Sequence, residues 1–282
     1  MKHILVALDL SKMDESLIRY ASFMAKTFPL EKVFFVHNIK KYELSELFSE
    51  QLKDIDLDKV VGDELNEKVE ALFEAEMNWE VLISEDPYTE SLINYIVNKF
   101  DIDVVLLGNK SSLKSTGTVS GKLLRLLKCD LLAVPKNAET AMKEIWVGTD
   151  FSQRSKKALR TAQTLQHIVS AKLTAAHVFN VPIHFSPYLT TDSMASKIER
   201  HVTDKCTRFI QNLEHPEGIR QRIIPGREPG IANSLITHAQ RAGADLLVVT
   251  DKGNNPFSNL LIGSVTEDLF NQISDIPLWI AK

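Results

Sequence analysis

Residues 246 to 268 read LLVVTDKGNNPFSNLLIGSVTED and join a short apolar run to two glycines and a new helical pattern. The run Leu246 to Val249 is too short for a helix and is bounded by turn residues, so it predicts a buried parallel strand. Apolar residues recur at helical spacing after Gly263 and Ser264. The sequence therefore predicts a strand, then a loop, then the first turn of a helix. In this arrangement the free backbone N–H groups at the helix start can bind a phosphate. We expect the glycines to allow close approach to the anion and a positive φ.

Outside this stretch, short apolar runs alternate with helical patterns. In the first half we expect strands at residues 3–8, 33–37, 81–84, 104–107 and 131–134. We expect helices from about residue 13, within 42–73, at 90–100 and at 119–127. This alternation predicts an α/β fold with a parallel sheet covered by helices on both faces.

The pattern then repeats at a nearly constant offset. Asp9 recurs as Asp150 and Asp103 recurs as Asp245, and the offsets of these two pairs differ by a single position. A constant offset across several elements indicates an internal repeat. We therefore predict two tandem domains, residues 1–137 and 143–282, joined by a polar linker.

The two halves differ at the glycine loop. Matching Gly117 to Gly263 gives an offset that is larger by four positions than the offset between Asp103 and Asp245, so the first-half loop is the shorter one by that amount. Ser111 also stands where Gly253 stands. We expect the first site to be vestigial, or to take a ligand smaller than a triphosphate.

Composition limits the class of protein. The 282 residues are 44% apolar and 25% charged with a net charge of −4, which is typical of a globular protein and argues against a nucleic-acid partner. The basic run at 154–160 is expected on the solvent face of a helix.

The cysteines bear on the cellular compartment. Cys129 and Cys206 form no metal or redox motif, which indicates a reducing compartment. The apolar run before Asp9 is too short for a signal peptide or membrane span, so we expect a cytoplasmic protein without a membrane partner.

The spacing Thr250-x2-Gly253-x9-Gly263-Ser264 resembles the G-x2-G-x9-G-(S/T) loop of the ATP-binding universal stress proteins, with threonine in place of the first glycine. Both halves, essentially the whole chain, resemble domains of that family, each opening with a strand and turn, VALDLS and VGTDFS. The resemblance implies an αβ sandwich in each half, with a five-stranded parallel sheet of order 3-2-1-4-5 and an adenine nucleotide alpha hydrolase-like fold. It also implies an intramolecular pseudo-dimer whose final strands, near 131–134 and 278–281, pair across a two-fold axis.

The same resemblance implies the ligand and its site. It places ATP, AMP or ADP, with or without Mg²⁺, at the carboxyl edge of the second sheet, which agrees with the general rule for open α/β sheets. It assigns Asp150 to the adenosine and the Val178 backbone to the adenine edge. The residues assigned to the phosphates are Gly253, Gly263, Ser264 and Val265. From the residues themselves we add the Lys252 ammonium as a point charge.

Two of these assignments have alternatives. An aspartate after a strand also caps the following helix, so Asp150 is interpretable as structural alone. Thr250 would be strained by roughly 1–2 kcal/mol at a positive φ, because a β-branched residue is disfavoured there, and would be harmless in extended backbone.

Other motifs were weighed and rejected. The run from Gly117 to Leu123 lacks the Walker spacing, and no nucleophile elbow is present. His37 and His177 end strands and are interpreted as core residues. The remaining histidines show no metal spacing, so no metal ligand and no catalytic residue is assigned.

Three hypotheses follow. The favoured one is a cytoplasmic stress-response protein whose second domain binds an adenine nucleotide as a sensor, with at most slow ATP hydrolysis. The second is a scaffold without nucleotide that acts through protein contacts. The third is an ATP-using enzyme, for which Asp251 and Lys252 are the nearby candidates. The sequence leaves the protein partner, and whether two chains form a homodimer, undetermined.

Overall fold

The computed structural model describes residues 1–40, 55–109, 118–180, 191–226, 230–253 and 262–282. The chain divides into two compact units, Met1–Ala141 and Met142–Ala281. Each unit is an alternation of strands and helices.

The first unit holds a parallel sheet in the order β3-β2-β1-β4-β5. Its strands are β1 His3–Leu8, β2 Lys32–Asn38, β3 Trp79–Ser84, β4 Val104–Asn109 and β5 Asp130–Pro135. Its described helices are α1 Met13–Thr27, α2 Leu57–Leu72, α3 Thr89–Lys99 and α4 Thr118–Leu126.

The second unit repeats this order as β8-β7-β6-β9-β10, also parallel. Its strands are β6 Glu144–Gly148, β7 Lys172–Asn180, β8 Ile219–Gly226, β9 Leu246–Thr250 and β10 Leu278–Ala281. Its described helices are α5 Gln153–Val169, α6 Thr191–Gln211, α7 Ile231–Arg241 and α8 Ser264–Gln272. The predicted α/β class and the order 3-2-1-4-5 are therefore confirmed in both units.

The central strands are continuous apolar runs because helices cover both faces of each sheet. Ile4, Leu5 and Val6 of β1 are 0% exposed, and so are Leu246 and Leu247 of β9. The helices are amphipathic and bury one stripe each, as expected for a layered α/β unit. None of the helices within the described ranges is long and apolar enough to cross a membrane.

Residues related by the repeat offset have the same structural role. The Asp103 carboxylate accepts hydrogen bonds from Lys2 N and His3 N, the amides at the start of β1. The Asp245 carboxylate accepts the same pair of bonds from Lys143 N and Glu144 N before and in β6. The internal repeat in the sequence is thus a repeat of contacts.

The predicted element bounds agree with the structure to within one or two residues wherever they fall on described positions. The helix expected within 42–73 occupies Leu57–Leu72, and residues 41–54 lie outside the described ranges. The basic run lies on α5, where Arg154, Lys157 and Arg160 are exposed as predicted.

Burial raises the pKa of the Cys129 thiol to about 12 and that of the Cys206 thiol to about 11, so neither is a reactive thiolate at neutral pH.

Candidate functional site

The candidate site lies at the carboxyl edge of the second sheet, where β6, β7 and β9 end. Asp150 follows β6, Val178 lies near the end of β7, and Thr250 is the last residue of β9. Carboxyl ends of parallel strands meet at one edge of a sheet, and ligands of open α/β sheets bind there. The fold alone therefore brings these three predicted residues to the same edge.

Asp150 organises the turn between β6 and α5. Its Oδ1 accepts hydrogen bonds from Ser152 N at 3.0 Å and from Ser155 Oγ at 2.5 Å. Ser155 Oγ in turn accepts from Asp150 N at 3.2 Å. The helix itself is capped by Ser152, whose hydroxyl accepts from Ser155 N at 3.1 Å. The alternative in which Asp150 is the helix cap is therefore wrong, and one of its carboxylate oxygens braces the turn.

The other oxygen of Asp150 faces the glycine loop. A Cβ built on Gly253 would lie 3.0 Å from Asp150 Oδ2, and a Cβ on Gly263 would lie 3.4 Å from Gly253 N. Gly263 N also donates to Asp251 O at 2.8 Å. Three residues that are far apart in sequence, Asp150, Gly253 and Gly263, thus lie close together. A Cβ at Gly253 would press on the Asp150 carboxylate, whereas a Cβ at Gly263 would make contacts of ordinary length.

The expected positive φ at these glycines is wrong. Gly263 has a φ of −74°, and the φ of Gly253 also lies outside the left-handed region. The two glycines instead lie where backbone segments of the loop approach each other, and the predicted close approach to an anion stays a prediction.

Thr250 is extended and unstrained. It is the last residue of β9, is paired with Ala281 of β10, and has no positive φ. Its hydroxyl donates to Lys252 O at 2.8 Å, and its carbonyl oxygen accepts from Thr266 Oγ1 at 2.7 Å. The strained alternative for Thr250 is excluded, because the backbone conformation is one that threonine favours.

Helix α8 begins directly behind the glycines. Gly263 is its N-cap residue and supplies no side-chain cap. Within the described part of the chain, the amides of Ser264 and Val265 have no hydrogen-bond partner. Ser264 is exposed and Val265 half-buried. Uncapped amides at a positive helix end attract an anion.

Val178 presents its main chain at the same edge. Strand β6 ends at Gly148 opposite Ala176, and Thr149 N donates to Ala176 O at 2.9 Å. Peptide groups of alternate residues in a strand point to the same side, so those of Val178 point to the side on which β6 has already ended. The edge of β7 at Val178 is therefore not covered by β6.

Three contributors were missed by the sequence reasoning: Phe151, Ser155 and Thr266. Phe151 has a φ of 62°, and its ring centroid lies 4.2 Å from that of His177. His177 Nδ1 donates to Thr149 O at 2.7 Å, and burial lowers the pKa of this imidazole, so it is neutral at pH 7. The repeat offset carries a signal for Ser155, since the residue that matches it in the first half, Asp14, makes the same contact with Asp9 N.

The first domain has a different arrangement at the equivalent edge. Residues 110–117 lie outside the described ranges, so the predicted shorter loop stays a prediction. Gly121 lies inside helix α4, and Lys122 Nζ pairs with Glu90 Oε1 at 2.5 Å. Gly117, the first glycine of the rejected Walker motif, lies outside the described ranges.

Comparison with known proteins identifies the family. The model of the Universal stress protein family matches residues 1–135 and 142–282. The chain belongs to the universal stress protein family. Its two matches show two tandem universal stress protein domains, as the internal repeat predicts.

Curated relatives and solved structures agree with this assignment. Stress response protein NhaX of Bacillus subtilis is 31% identical over 163 residues, which cover 49% of this chain and 96% of NhaX. Universal stress protein YxiE of the same organism is 26% identical over 145 residues, 48% of this chain and 96% of YxiE. The crystal structure of a universal stress protein from Archaeoglobus fulgidus has a TM-score of 0.65 at 17% identity and covers 99% of this chain and 98% of its own. That likeness shows that the two chains share a fold.

Proposed function

We propose that this universal stress protein takes part in a stress response by binding an adenine nucleotide, ATP foremost, in its second domain. The nucleotide acts as a regulatory signal. The residues that hold it are Asp150, Val178, Thr250, Lys252, Gly253, Gly263, Ser264 and Val265.

One observation carries the proposal: a carboxylate, a close pair of glycines and uncapped helix amides meet at one sheet edge. Asp150 Oδ2 lies close to Gly253, where an added Cβ would be 3.0 Å from it. The Ser264 and Val265 amides follow in the first turn of α8. A ribose hydroxyl donates to a carboxylate such as Asp150, while phosphate oxygens accept from amides and a hydroxyl, at roughly 1.5–3 kcal/mol per charged hydrogen bond.

Hydrolysis is expected to be slow. Asp251 and Lys252 carry the ionisable side chains next to the loop, and neither is an evident general base for an attacking water. Their main-chain oxygens anchor the loop, Asp251 O by accepting from Gly263 N and Lys252 O by accepting from Thr250 Oγ1. Among the described residues, no three or more His, Cys, Asp or Glu side chains form a metal site. A Mg²⁺ ion would arrive with the nucleotide, held by phosphate oxygens and water, as is common for this ion.

Calorimetric titration of the full chain with ATP tests the proposal. We expect binding near micromolar, about −8 kcal/mol. Gly263→Val abolishes it, because the new side chain fills the space in which phosphate would meet the α8 amides. Gly253→Ala weakens it, because the methyl group would lie 3.0 Å from Asp150 Oδ2.

Gly62→Ala is the matched control. A Cβ at Gly62 in α2 would lie 3.5 Å from Ile83 Cγ1, an ordinary contact, so ATP affinity is expected to stay unchanged. Absence of ATP binding in the wild-type chain would reject the nucleotide proposal and favour the scaffold hypothesis. Thr250 gives the scaffold hypothesis no support, because its backbone is unstrained.

Two wider statements belong to the same proposal. The protein works in the cytoplasm, which fractionation of cells tests. We further propose that its final strands, 131–134 and 278–281, pair in an intramolecular pseudo-dimer; whether two chains also form a homodimer is a question for experiment. Analytical ultracentrifugation with and without ATP measures the association of chains.

A further inference from the structure

The first domain contains a cavity of about 540 Å³ at the carboxyl edge of its sheet. This volume lies in the range of small-molecule sites in proteins. Of the eighteen described residues that line it, eleven are apolar, among them Met13, Ile93, Leu107, Val119 and Leu123. The part of the wall that the structure describes is therefore mainly aliphatic, whereas a nucleotide site needs several hydrogen-bond donors and positive charge.

His37 provides a polar group of this cavity that is left without a partner. The residue is 9% exposed and lines the cavity. Its Nδ1 lies 3.1 Å from Leu8 O, and because a carbonyl oxygen only accepts, Nδ1 carries the proton. In neutral His37, Nε2 is then an acceptor, and it has no hydrogen-bond partner within the described residues. Nε2 is not one of the fully buried polar atoms without a partner, so it is accessible and can accept a hydrogen bond from a ligand or water in the cavity that His37 lines.

The other polar groups do not select a charged ligand. Asn38 is satisfied, since its Nδ2 donates to Asp86 O and Thr89 Oγ1 and its Oδ1 accepts from Asp86 N. Among the described lining residues there is one carboxylate, Asp9, and one ammonium, Lys40, and their charges balance. Binding of a charged ligand would place its charge next to aliphatic side chains, which costs much desolvation free energy.

From these observations we propose that the first domain binds an uncharged, mainly apolar small molecule that donates one O–H or N–H hydrogen bond to His37 Nε2. The apolar body fills the space between α1, α3 and α4. This site is separate from the nucleotide site proposed for the second domain, where His177 occupies the position of His37 but lies against the Phe151 ring.

Titration of the full chain with two probes tests the proposal. The probes are para-propylphenol and para-propylanisole, which keeps the apolar body and the oxygen but lacks the donor. We expect the phenol to bind about three- to tenfold more tightly, which is the range of one net hydrogen bond. His37→Phe removes this preference, whereas His177→Phe, the counterpart change in the second domain, leaves it intact.

A second pair of variants addresses the cavity itself. Ser120→Phe puts a ring into the cavity and is expected to lower the affinity of both probes at least tenfold, since Ser120 lines it. Ser91→Phe introduces the same ring at an exposed position of α3 and leaves both affinities unchanged. No binding to the wild-type chain, equal affinity for the two probes, or a preference that depends on His177 would overturn the proposal. ATP titrations of the same variants report on the second domain separately.

Discussion

Thr250 ends strand β9 with its hydroxyl turned back onto the loop, donating to Lys252 O at 2.8 Å. We predict that Thr250→Gly, which restores the glycine of the family loop, lowers the free energy of unfolding by about 1–2 kcal/mol. About half of this destabilisation comes from placing glycine in a strand, and the rest comes from the loss of the hydrogen bond. ATP affinity is expected not to rise, because no strain is relieved. Urea unfolding and calorimetry measure the two effects.

Thr250→Val is the control for this change. It keeps the β-branched shape and loses only the hydroxyl, so about half of the destabilisation should remain. A gain in ATP affinity for Thr250→Gly of tenfold or more would contradict the unstrained geometry.

Asp14 is a buried carboxylate in the first turn of α1. It is 0% exposed, its Oδ1 accepts from Asp9 N at 3.1 Å, and its Oδ2 has no partner among the described residues. Burial raises the pKa of Asp14. The hydrogen bond from Asp9 N lowers this pKa, and repulsion by the Asp9 carboxylate raises it further. Since the folded pKa exceeds the unfolded one, ionised Asp14 destabilises the fold at neutral pH, and this cost disappears as pH falls through the folded pKa.

Asp14→Ser installs the residue that the second domain has at this position, Ser155. We predict that it raises the free energy of unfolding by roughly 1–3 kcal/mol at pH 7, the cost of an unsatisfied buried group. The difference from wild type should shrink toward pH 4, near the unfolded pKa of aspartate. Denaturant titrations at several pH values measure it. A difference that does not depend on pH would exclude the carboxylate as its source.

At the scale of elements, the same strained turn links the first strand to the first helix in both domains. Leu10 has a φ of 59° and Phe151 a φ of 62°, at positions that the internal repeat matches to each other. Left-handed backbone costs an L-residue about 1–2 kcal/mol, and asparagine tolerates it best after glycine. The strained turn is present in both domains, and in each it lies at the carboxyl edge of the sheet, where strained backbone is common at functional sites.

We predict that Leu10→Asn raises the free energy of unfolding by about 0.5–1 kcal/mol, because part of this strain is relieved. Leu10 is 44% exposed, so little apolar burial is lost. Leu126, 43% exposed at the end of α4, is the matched control: Leu126→Asn should destabilise slightly through lower helix propensity. Thermal unfolding of both variants measures the contrast, and stabilisation by both or by neither would argue against strain at Leu10.

The elements could be predicted because their signals are local. A run such as Leu246 to Val249 is apolar throughout because both faces of its sheet are covered, and alternation with helices then fixes a parallel topology. The site was predicted in part, through glycine spacing. The roles of Ser155 and Thr266 depend on contacts to backbone atoms 5 and 16 residues away, which no spacing motif describes. The φ of Thr250 likewise became known only from its place in β9.

At the scale of the whole molecule, the two domains share one fold but differ in the side chains at the carboxyl edges of their sheets. In the second domain, Asp150, Gly253 and the α8 amides offer hydrogen-bonding groups, while in the first Met13 and its aliphatic neighbours surround an acceptor. A fold does not fix its ligand, because the ligand is chosen by the side chains at the edge. The shared scaffold therefore permits two separate ligands in one chain.

This separation leads to a prediction for hydrogen exchange followed by mass spectrometry. A ligand at one hundred times its Kd stabilises its site by about 2.7 kcal/mol, so amides that exchange through opening of that site slow by up to about a hundredfold. ATP should slow exchange in 246–253 and 262–272, and para-propylphenol in 3–13 and 118–126. Gly263→Val should remove only the first effect and Ser120→Phe only the second. If ATP instead slowed the amides of 3–13 in the Gly263→Val variant, the nucleotide would bind in the first domain, and the division of ligands between the domains would be wrong.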